Sequence, residues 1–300
     1  MLNKELTLGF IGFGEAAFGI TMGLKSEGFK HITSYDKAYQ QSPQSKIIIE
    51  RAKTAEIELL PSVEKVLEVS NMVISATSAS EAVNVANAAA PFLSKDDIFV
   101  DVNAACPDTI IEASNILKKT DCIFVDVAMM ADVKSNRHKV PMFVSGPGAE
   151  RFENLMSPYG MNIKIVGQET GQASAMKMIR SVFTKGMEAL LMETFTASQK
   201  YRIVDLTMAN LAKSMDSTPF EKRASVLLGK TAIHSARRIH EMEDVIKTLN
   251  SLGVDPVMSR ATLENFVRIE RLGLNEYFSG KTPEDYKKVL EAVSVSKQSN

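Results

Sequence analysis

The first apolar run of the chain breaks at Gly12-Phe13-Gly14-Glu15-Ala16-Ala17, and this break constrains the fold more than any other feature. The run before it, residues 6–11, is typical of a buried strand, and the residues after Gly14 have the spacing of a helix. In such a Gly-x-Gly-x-x-Ala turn, Gly12 reverses the chain, Gly14 lets the backbone approach a pyrophosphate, and Ala17 keeps helix and strand close. The pattern predicts a dinucleotide-binding turn with the pyrophosphate at the helix N-terminus.

Asp36 follows the next strand-like run, residues 31–35, and lies about twenty residues after Gly14. At this position a carboxylate can accept both ribose hydroxyls of NAD and repels the 2′-phosphate of NADP. The sequence therefore predicts NAD as the cofactor, with NADP as the weaker ligand. The alternative is that Asp36 is an exposed turn residue.

The composition is that of an ordinary globular protein, with 45% hydrophobic residues and enough length, 300 residues, for about two domains. A net charge of −1 gives no electrostatic case for binding nucleic acid or an anionic membrane. Cys106 and Cys122 have neither the spacing of metal ligands nor that of a disulfide framework, so we expect no metal site and a reducing, cytoplasmic location. We expect no signal peptide and no membrane-spanning segment.

Short β-type runs alternate with helical segments up to about residue 167, which predicts an α/β domain with a doubly wound, parallel sheet of the Rossmann type. Strands are expected over 6–11, 31–35, 56–60, 72–77, 97–102, 122–127, 140–145 and 162–166, and helices over 63–70, 80–90, 107–119 and 149–156. After this point only helical periodicity is found, and the tail 294–300 is expected to lack regular structure. We predict a dinucleotide-binding domain, 1–167, and an all-helical substrate and dimerisation domain, 168–300.

The helical part opens with a predicted helix over about 171–200 that is apolar on most faces. A helix that is apolar all round is normally buried. We therefore expect it to be the axis of the helical domain and of a homodimer. Its apolar residues are Ala173, Met176, Ile179, Val182, Phe183, Leu190, Leu191 and Phe195.

Lys177 is the charged residue on this helix that most needs an explanation, because burying an unpaired charge is costly. Arg180, Ser181 and Thr184 follow it at helical spacing and form a polar stripe on the same face. A desolvated lysine has a lowered pKa and can act as a general acid or base near neutrality. The alternative is a lysine that reaches the surface or pairs with a carboxylate.

Four motifs in this order resemble the β-hydroxyacid dehydrogenases, which include 3-hydroxyisobutyrate and 6-phosphogluconate dehydrogenases. They are the glycine fingerprint at Gly12, Asp101-Val102-Asn103, Asp126-Val127-Ala128, and Gly171 followed by Lys177 at the start of a long helix. Within this superfamily the chain is most similar to an NAD-binding, phosphogluconate-dehydrogenase-like subgroup with a C-terminal domain of its own. The resemblance covers nearly the whole chain.

The resemblance implies that Lys177 is the catalytic lysine, which takes the hydroxyl proton as hydride leaves the same carbon. It places Asn103 against the substrate or the nicotinamide, whereas a turn-capping asparagine is the alternative reading from the residues alone. The predicted cofactor contacts are Gly12, Phe13, Gly14, Glu15, Ala16, Ala17, Asp36, Thr77, Ser78, Ala79 and Asn103. Ligands of open α/β sheets bind beyond the carboxyl ends of the strands, which agrees with these positions.

The chain departs from the family pattern around the expected substrate. Met129-Met130-Ala131 stands where the family has a Ser-Gly-Gly loop that binds the substrate carboxylate, so Met130 and Ala131 are expected to form an apolar wall. Ser181 replaces the family's asparagine, and Arg180 replaces the histidine of 6-phosphogluconate dehydrogenases. Arg180 is expected either to bind an anionic substrate group or to form a structural ion pair. Without the His-Asn pair, 6-phosphogluconate is not expected to be the substrate.

Two histidines stand beside charged residues in the sequence. His240 lies near Arg237 and Glu241 at helical spacing and is expected either to line the substrate cleft or to be an ordinary surface histidine. His138 lies in a polar segment, 136–139, and is expected to be solvated.

Taken together, these features predict an NAD(P)-dependent oxidoreductase that moves hydride between nicotinamide and a small hydroxy compound, with a hydroxy acid favoured. The alternatives are an NAD(H)-binding sensor of the same fold, or a C=N or C=O reductase whose substrate has no carboxylate. The lysine favours an enzyme, because a binding module needs no ionisable group buried at the nicotinamide end.

Overall fold

The computed structural model describes residues 6–40 and 43–296. Within these residues the chain forms eight strands in one sheet, with the spatial order β3-β2-β1-β4-β5-β6-β7-β8. This confirms the predicted α/β class with an N-terminal Rossmann-like sheet. The strands are β1 (Leu8–Ile11), β2 (Ile32–Tyr35), β3 (Glu58–Leu59), β4 (Met72–Ser75), β5 (Ile98–Asp101), β6 (Ile123–Met129), β7 (Met142–Ser145) and β8 (Ile163–Ile165).

Seven helices of the described chain accompany the sheet, and two of them, α2 and α6, were not predicted from the sequence. Phe10, Phe13, Phe99 and Phe152 are among the largest fully buried side chains of the core. The helices are α1 (Glu15–Ser26), α2 (Ser45–Ala55), α3 (Val63–Val69), α4 (Ala82–Ala89), α5 (Pro107–Leu117), α6 (Val133–Asn136) and α7 (Ala149–Met156).

The sheet is parallel except between β6 and β7, which pair antiparallel. The prediction of an all-parallel sheet was wrong at this pair. A parallel crossover needs a dozen or more residues, usually with a full helix. Between β6 and β7 the chain has only the four-residue α6, so β7 returns in the opposite direction.

The described residues from Gln172 to Ser296 form helices and no strand, as predicted. Residues 294–296, expected to lack regular structure, end the last helix, and 297–300 lie outside the described residues. The helices are α8 (Gln172–Tyr201), α9 (Val204–Asp216), α10 (Phe220–Ser251), α11 (Val257–Glu270), α12 (Leu274–Tyr277) and α13 (Tyr286–Ser296).

The chain divides into two compact units, which we call the sheet unit, ending at Val182, and the helical unit, beginning at Phe183. The division falls inside α8, whereas the change from strands to helices comes at β8, near the predicted boundary at 167. Hydrogen bonds between the first turn of α8 and β6 account for the difference, because they make this turn part of the sheet unit. In the described chain, no helix is both long and apolar enough to cross a membrane.

The expected burial of α8 is not observed in the single chain. Ala173 is fully buried, but Ile179 is 69% exposed and Val182 is 78% exposed. Met176, Phe183, Leu190 and Leu191 are exposed as well. Periodicity shows that a helix has apolar faces, but it cannot show which of them the same chain covers.

His138 is buried, so the expectation of a solvated side chain was wrong. It lies in a 3₁₀ turn, Arg137–Lys139, whose backbone follows α6 and packs on α1. Gly23 of α1 leaves the space for the ring, since a Cβ atom there would overlap Nδ1 of His138. The Nε2 atom lies 3.5 Å from the Glu27 carboxylate, and burial lowers the pKa of His138.

Candidate functional site

The turn between β1 and α1 has the geometry that its glycines predict. Gly12 has a φ of +92°, and a Cβ atom there would lie 2.5 Å from the carbonyl oxygen of Ala76, so only glycine fits. Gly14 is the N-cap of α1 and has no side chain, so the helix lacks a side-chain cap. A Cβ atom on Gly14 would meet no protein atom within 4 Å. The N-cap and first residues of α1, Gly14, Glu15 and Ala16, line an open cleft, and a helix N-terminus beside open space suits a pyrophosphate.

The carboxylate of Asp36 is hydrogen-bonded to this turn. Its Oδ2 atom accepts a hydrogen bond from the backbone N–H of Phe13 at 2.7 Å, and its Oδ1 atom accepts one from Ala38 at 2.8 Å. Each carboxylate oxygen keeps a further lone pair. The group is thus held in one orientation and can still accept hydroxyl groups of a ribose.

A cleft of about 540 Å³ connects the turn with Asp36 and the loop after β4. Of the predicted cofactor residues, Gly12, Gly14, Glu15, Ala16, Asp36, Thr77 and Ser78 line it. Phe13 and Ala17 instead bury their side chains in the core. Ala79 and Asn103 are not part of the lining. Lys37 and Glu81 form an ion pair of 2.9 Å at this cleft.

Asn103 holds the loop after β4 in place. Its side-chain oxygen accepts the backbone N–H of Thr77 at 2.6 Å, and its Nδ2 atom donates to Oγ of Ser75 at 2.9 Å. Its own backbone N–H donates to Oδ1 of Asp101 at 2.8 Å. These bonds give Asn103 the turn-stabilising role that was left open as an alternative, next to the cofactor cleft.

Asp101 and Asp126 are two fully buried carboxylates that face each other across β5 and β6. Oδ2 of Asp101 has no hydrogen-bond partner in the described chain. Burial raises the pKa of Asp101 from 3.8 to about 7, and the nearby charge of Asp126 adds to the effect. The sequence motifs contained both residues, but no role was derived for either. The available signal was an aspartate at the end of an otherwise apolar strand.

Asp126 connects β6 with the first turn of α8. Its Oδ2 atom accepts hydrogen bonds from the N–H groups of Gly171 at 3.0 Å and Ser174 at 3.2 Å. Its Oδ1 atom accepts one from Oγ of Ser174 at 2.6 Å. Ser145 of β7 donates a further bond to Oδ2 at 2.9 Å. The first turn of the helix that carries Lys177 is therefore hydrogen-bonded to the sheet.

Lys177 lies one turn beyond Ser174 and is half-buried. Burial lowers its pKa below the ordinary 10.5, and burial is the sole cause. Within residues 6–40 and 43–296, its ammonium group makes no ion pair or hydrogen bond. The carboxylate partner of the alternative interpretation is thus not found in this part of the chain.

The two polar neighbours of Lys177, Arg180 and Ser181, differ in whether the side chain already has a hydrogen-bond partner. Arg180 is exposed and forms no ion pair with any residue the structure describes. The hydroxyl of Ser181 donates to the carbonyl oxygen of Lys177 at 2.9 Å, so it is occupied by its own helix. Arg180 therefore remains available to an anionic group, whereas Ser181 would have to give up a backbone hydrogen bond to bind one.

The two remaining candidate regions lie apart in the chain. Met130 and Ala131 follow β6, and the N–H of Met130 donates to the carbonyl oxygen of Pro141 at 2.8 Å. Met130 is half-buried and Ala131 is exposed. His240 belongs to α10 in the helical unit, where its side chain is 81% exposed and lies 3.1 Å from Glu243. This is the arrangement of an ordinary surface histidine.

Among the described residues, no cluster of three or more His, Cys, Asp or Glu side chains could hold a metal ion.

Residues 7–167 match a family model described as the NAD binding domain of 6-phosphogluconate dehydrogenase. Residues 199–269 match a domain of unknown function, DUF1932. An uncharacterised 28.5 kDa protein of the 7S RNA 5′ region in Methanothermus fervidus is 30% identical over 267 residues. The similarity covers 88% of this chain and 99% of that relative.

Two solved structures are 33% identical to this chain. A conserved hypothetical protein from Sinorhizobium meliloti has a TM-score of 0.62 over 88% of both chains. A conserved protein of unknown function with structural similarity to 3-hydroxyacid dehydrogenases has a TM-score of 0.59, over 90% of this chain and 99% of its own.

A further match shows the fold alone. An imine reductase from Myxococcus stipitatus, in complex with NADP+, has a TM-score of 0.72 at 13% identity, over 96% of this chain and 99% of its own.

These matches confirm the resemblance found in the sequence. The chain has an NAD(P)-binding, hydroxyacid dehydrogenase-like fold with a DUF1932 region towards its C-terminus. The protein belongs to the family defined by the NAD binding domain of 6-phosphogluconate dehydrogenase.

Proposed function

We propose that the protein is an NAD-dependent oxidoreductase that transfers hydride between nicotinamide and a small hydroxy acid, with Lys177 as the general acid–base. The half-buried, unpartnered ammonium of Lys177 in the described chain carries the proposal. Asp126 ties its helix to β6, next to the strand that ends before Asn103. A structural lysine at such a position would be expected to have a carboxylate partner.

In the direction of oxidation, the C–H and O–H bonds of the alcohol break and a C=O bond forms. The nicotinamide, when bound, accepts the hydride. The hydroxyl proton passes to the neutral amine of Lys177, which becomes an ammonium group. Burial favours this role, because it lowers the pKa of Lys177 and so increases the neutral fraction available as a base. In reduction, the same ammonium returns the proton to the carbonyl oxygen.

The preference for NAD rests on Asp36. The residues around the cleft fit a dinucleotide, since Gly14 leaves open space at the N-terminus of α1 and Asp36 is held by two backbone N–H groups. A fixed carboxylate accepts ribose hydroxyls but repels a 2′-phosphate. NADP should therefore bind more weakly.

The substrate should be anchored differently from that of 3-hydroxyisobutyrate dehydrogenase. Met130 and Ala131 offer no hydroxyl for a carboxylate, whereas the exposed Arg180 can donate two parallel hydrogen bonds to one. A second candidate function, reduction of a C=N bond, is favoured by the same apolar loop, because such a substrate needs no carboxylate site. In that reaction Lys177 would protonate the nitrogen.

We also propose that the chain acts as a homodimer. In the helical unit, Leu206 is 72% exposed and Phe220 is 63% exposed, and exposed apolar residues also occur along α8. Apolar surface of this extent marks an interaction site. A second copy of the chain is the proposed partner.

Cys106 and Cys122 are free thiols, which supports a reducing compartment such as the cytoplasm.

A substrate screen tests the function. The purified protein is incubated with NAD and hydroxy acids or sugar acids, and separately with NADH and cyclic imines, while the reduced nicotinamide is followed by absorbance. We expect turnover of a hydroxy acid bulkier than 3-hydroxyisobutyrate and little turnover of that acid. Turnover of imines alone would select the second function, and tight NADH binding without any turnover would select a sensor.

A further inference from the structure

The first turn of α8 takes its N-terminal capping groups from the sheet. Every helix begins with N–H groups that have no partner inside the helix, and a local Ser, Thr, Asp or Asn usually accepts from them. Here Asp126 accepts from Gly171 and Ser174, and Oγ of Ser145 accepts from Ala173 at 2.9 Å. The cap thus comes from residues of β6 and β7 that are remote in sequence.

The cap is built for a carboxylate. Asp126 is the acceptor in all four of its hydrogen bonds. The donors are the N–H groups of Gly171 and Ser174, Oγ of Ser174 and Oγ of Ser145. An ionised carboxylate accepts at both oxygens and donates nothing, so it can satisfy them all. Negative charge is also favoured at a helix N-terminus. Asp126, Ser145 and Ser174 are all buried, so water does not substitute easily for these bonds.

Lys177 depends on this cap for its position. It lies three residues after Ser174, about 4.5 Å further along the helix axis. In the described chain its ammonium group has no partner of its own that would hold it. The position of the amine is therefore set by the backbone of α8, and the backbone of this turn is fixed by Asp126. The glycine before the helix supports the same geometry, because Gly171 has a φ of +98°.

We propose that Asp126 is a positioning residue, which holds the first turn of α8 through Ser174 and thereby sets the place and the hydration of the Lys177 amine. The link to catalysis rests on the function proposed above for Lys177. The positioning itself can be tested without turnover.

The test measures the titration of Lys177 directly. The full-length variants Ser174→Ala and Asp126→Asn are labelled with acetic anhydride over a range of pH, and mass spectrometry gives the labelled fraction of Lys177. Loosening the cap should hydrate the amine and raise its pKa toward the ordinary 10.5. The matched control is Ser198→Ala, which removes another buried serine hydroxyl from α8 that bonds to Thr194 and Thr207. It should leave the titration of Lys177 unchanged.

Activity gives a second, separable measurement. We expect kcat to fall about a hundredfold in Asp126→Asn and about tenfold in Ser174→Ala, since a small misplacement of a catalytic group is costly. The KM for NAD should not change. If Asp126→Asn does not fold, Ser174→Ala decides, because it keeps the carboxylate and loses one hydrogen bond.

Two results would overturn the proposal. One is a folded Ser174→Ala protein with an unshifted Lys177 titration, and the other is an equal shift in Ser198→Ala. Failure of the proposed function looks different. In that case Lys177→Met keeps full turnover, whereas the titration shift in Ser174→Ala is still observed.

Discussion

The sheet unit and the helical unit differ in how they bury their apolar residues. The sheet unit encloses large side chains completely, among them Phe10, Phe99 and Phe152. The buried cluster of the helical unit, within the described residues, consists of Ala232, Leu274, Val289 and Ala292. Leu206 and Phe220 remain in solvent on the same unit. The sheet unit is thus self-sufficient in its core, whereas the helical unit carries the apolar surface expected of an interface.

The two units also differ in the kind of residues that they contribute. The polar groups of the proposed site, Asp36, Asn103, Asp126 and Lys177, all belong to the sheet unit. The helical unit supplies exposed apolar helices instead. We therefore expect substitutions in the sheet unit to change catalysis and cofactor binding, and substitutions in the helical unit to change assembly.

The largest effect is expected for Lys177. Lys177→Ala and the nearly isosteric Lys177→Met should both lower kcat by about 10²–10⁴-fold, because general acid–base groups contribute that much. NAD affinity should hardly change, since the proposed pyrophosphate site lies at the turn of Gly12 and Gly14. Steady-state kinetics and NAD titration provide the measurement. The matched control is Lys185→Met, which removes an exposed lysine of α8 that pairs with Glu188. Near-full turnover in both Lys177 variants would show that the lysine is structural.

The next effect concerns the stability of the sheet unit and its dependence on pH. Asp101 has a pKa of about 7 when folded, against 3.8 as its ordinary value. Between these values the folded chain keeps a proton that the unfolded chain has lost. The stabilisation from this proton is complete below pH 3.8 and disappears as pH rises through about 7.

Asp101→Asn removes this titration. The difference in unfolding free energy between variant and wild type should therefore change by roughly 3 kcal/mol in favour of the variant from pH 4 to pH 7. Any pH-independent offset, such as an altered hydrogen bond to Asn103, does not affect the slope. Urea unfolding across this range measures it. Asp255→Asn, an exposed carboxylate of the helical unit paired with Arg260, serves as the control. Parallel curves for Asp101→Asn and wild type would contradict the assigned titration.

The third effect tests the helical unit. Phe220→Glu places a charge on its exposed apolar surface and should weaken the proposed dimer by on the order of a hundredfold. Sedimentation at several concentrations measures the change. The control is Ile47→Glu, an exposed apolar residue of α2 in the sheet unit, which should leave assembly unchanged. A wild-type chain that is monomeric at micromolar concentration would refute the dimer and, with it, our explanation of the exposed helices.

The smallest effect concerns the choice of cofactor. Asp36→Asn keeps an acceptor oxygen but loses the charge, so the affinity for NADP relative to NAD should rise roughly tenfold. Titration of both dinucleotides onto the protein gives the ratio. Glu15→Gln should not change it, because Glu15 lies at the start of α1, at the proposed site of the pyrophosphate that NAD and NADP share. A preference of the wild type for NADP would refute the role given to Asp36.

Local patterns in the sequence were enough for much of the sheet unit. The turn at Gly12, the alternation of strands and helices, and the long helix carrying Lys177 were all predicted and are observed. Each depends on residues close in the chain: glycines that permit an unusual φ, and the apolar periods of strands and helices. The antiparallel β7 was not predicted, because strand direction depends on the length of a connection rather than on the strand itself.

What the tertiary structure decided is which groups are buried and which are paired. The link from Asp126 to Gly171 joins residues 45 positions apart, and no spacing rule records such a bond. His138 is buried because Gly23, on another helix, leaves room for its ring. The exposure of Val182 likewise depends on which elements cover α8. The sequence by itself determined most of the elements and the lysine helix, since short-range sterics and periodicity encode them. Long-range packing determined how that helix is held and which of its faces remain open.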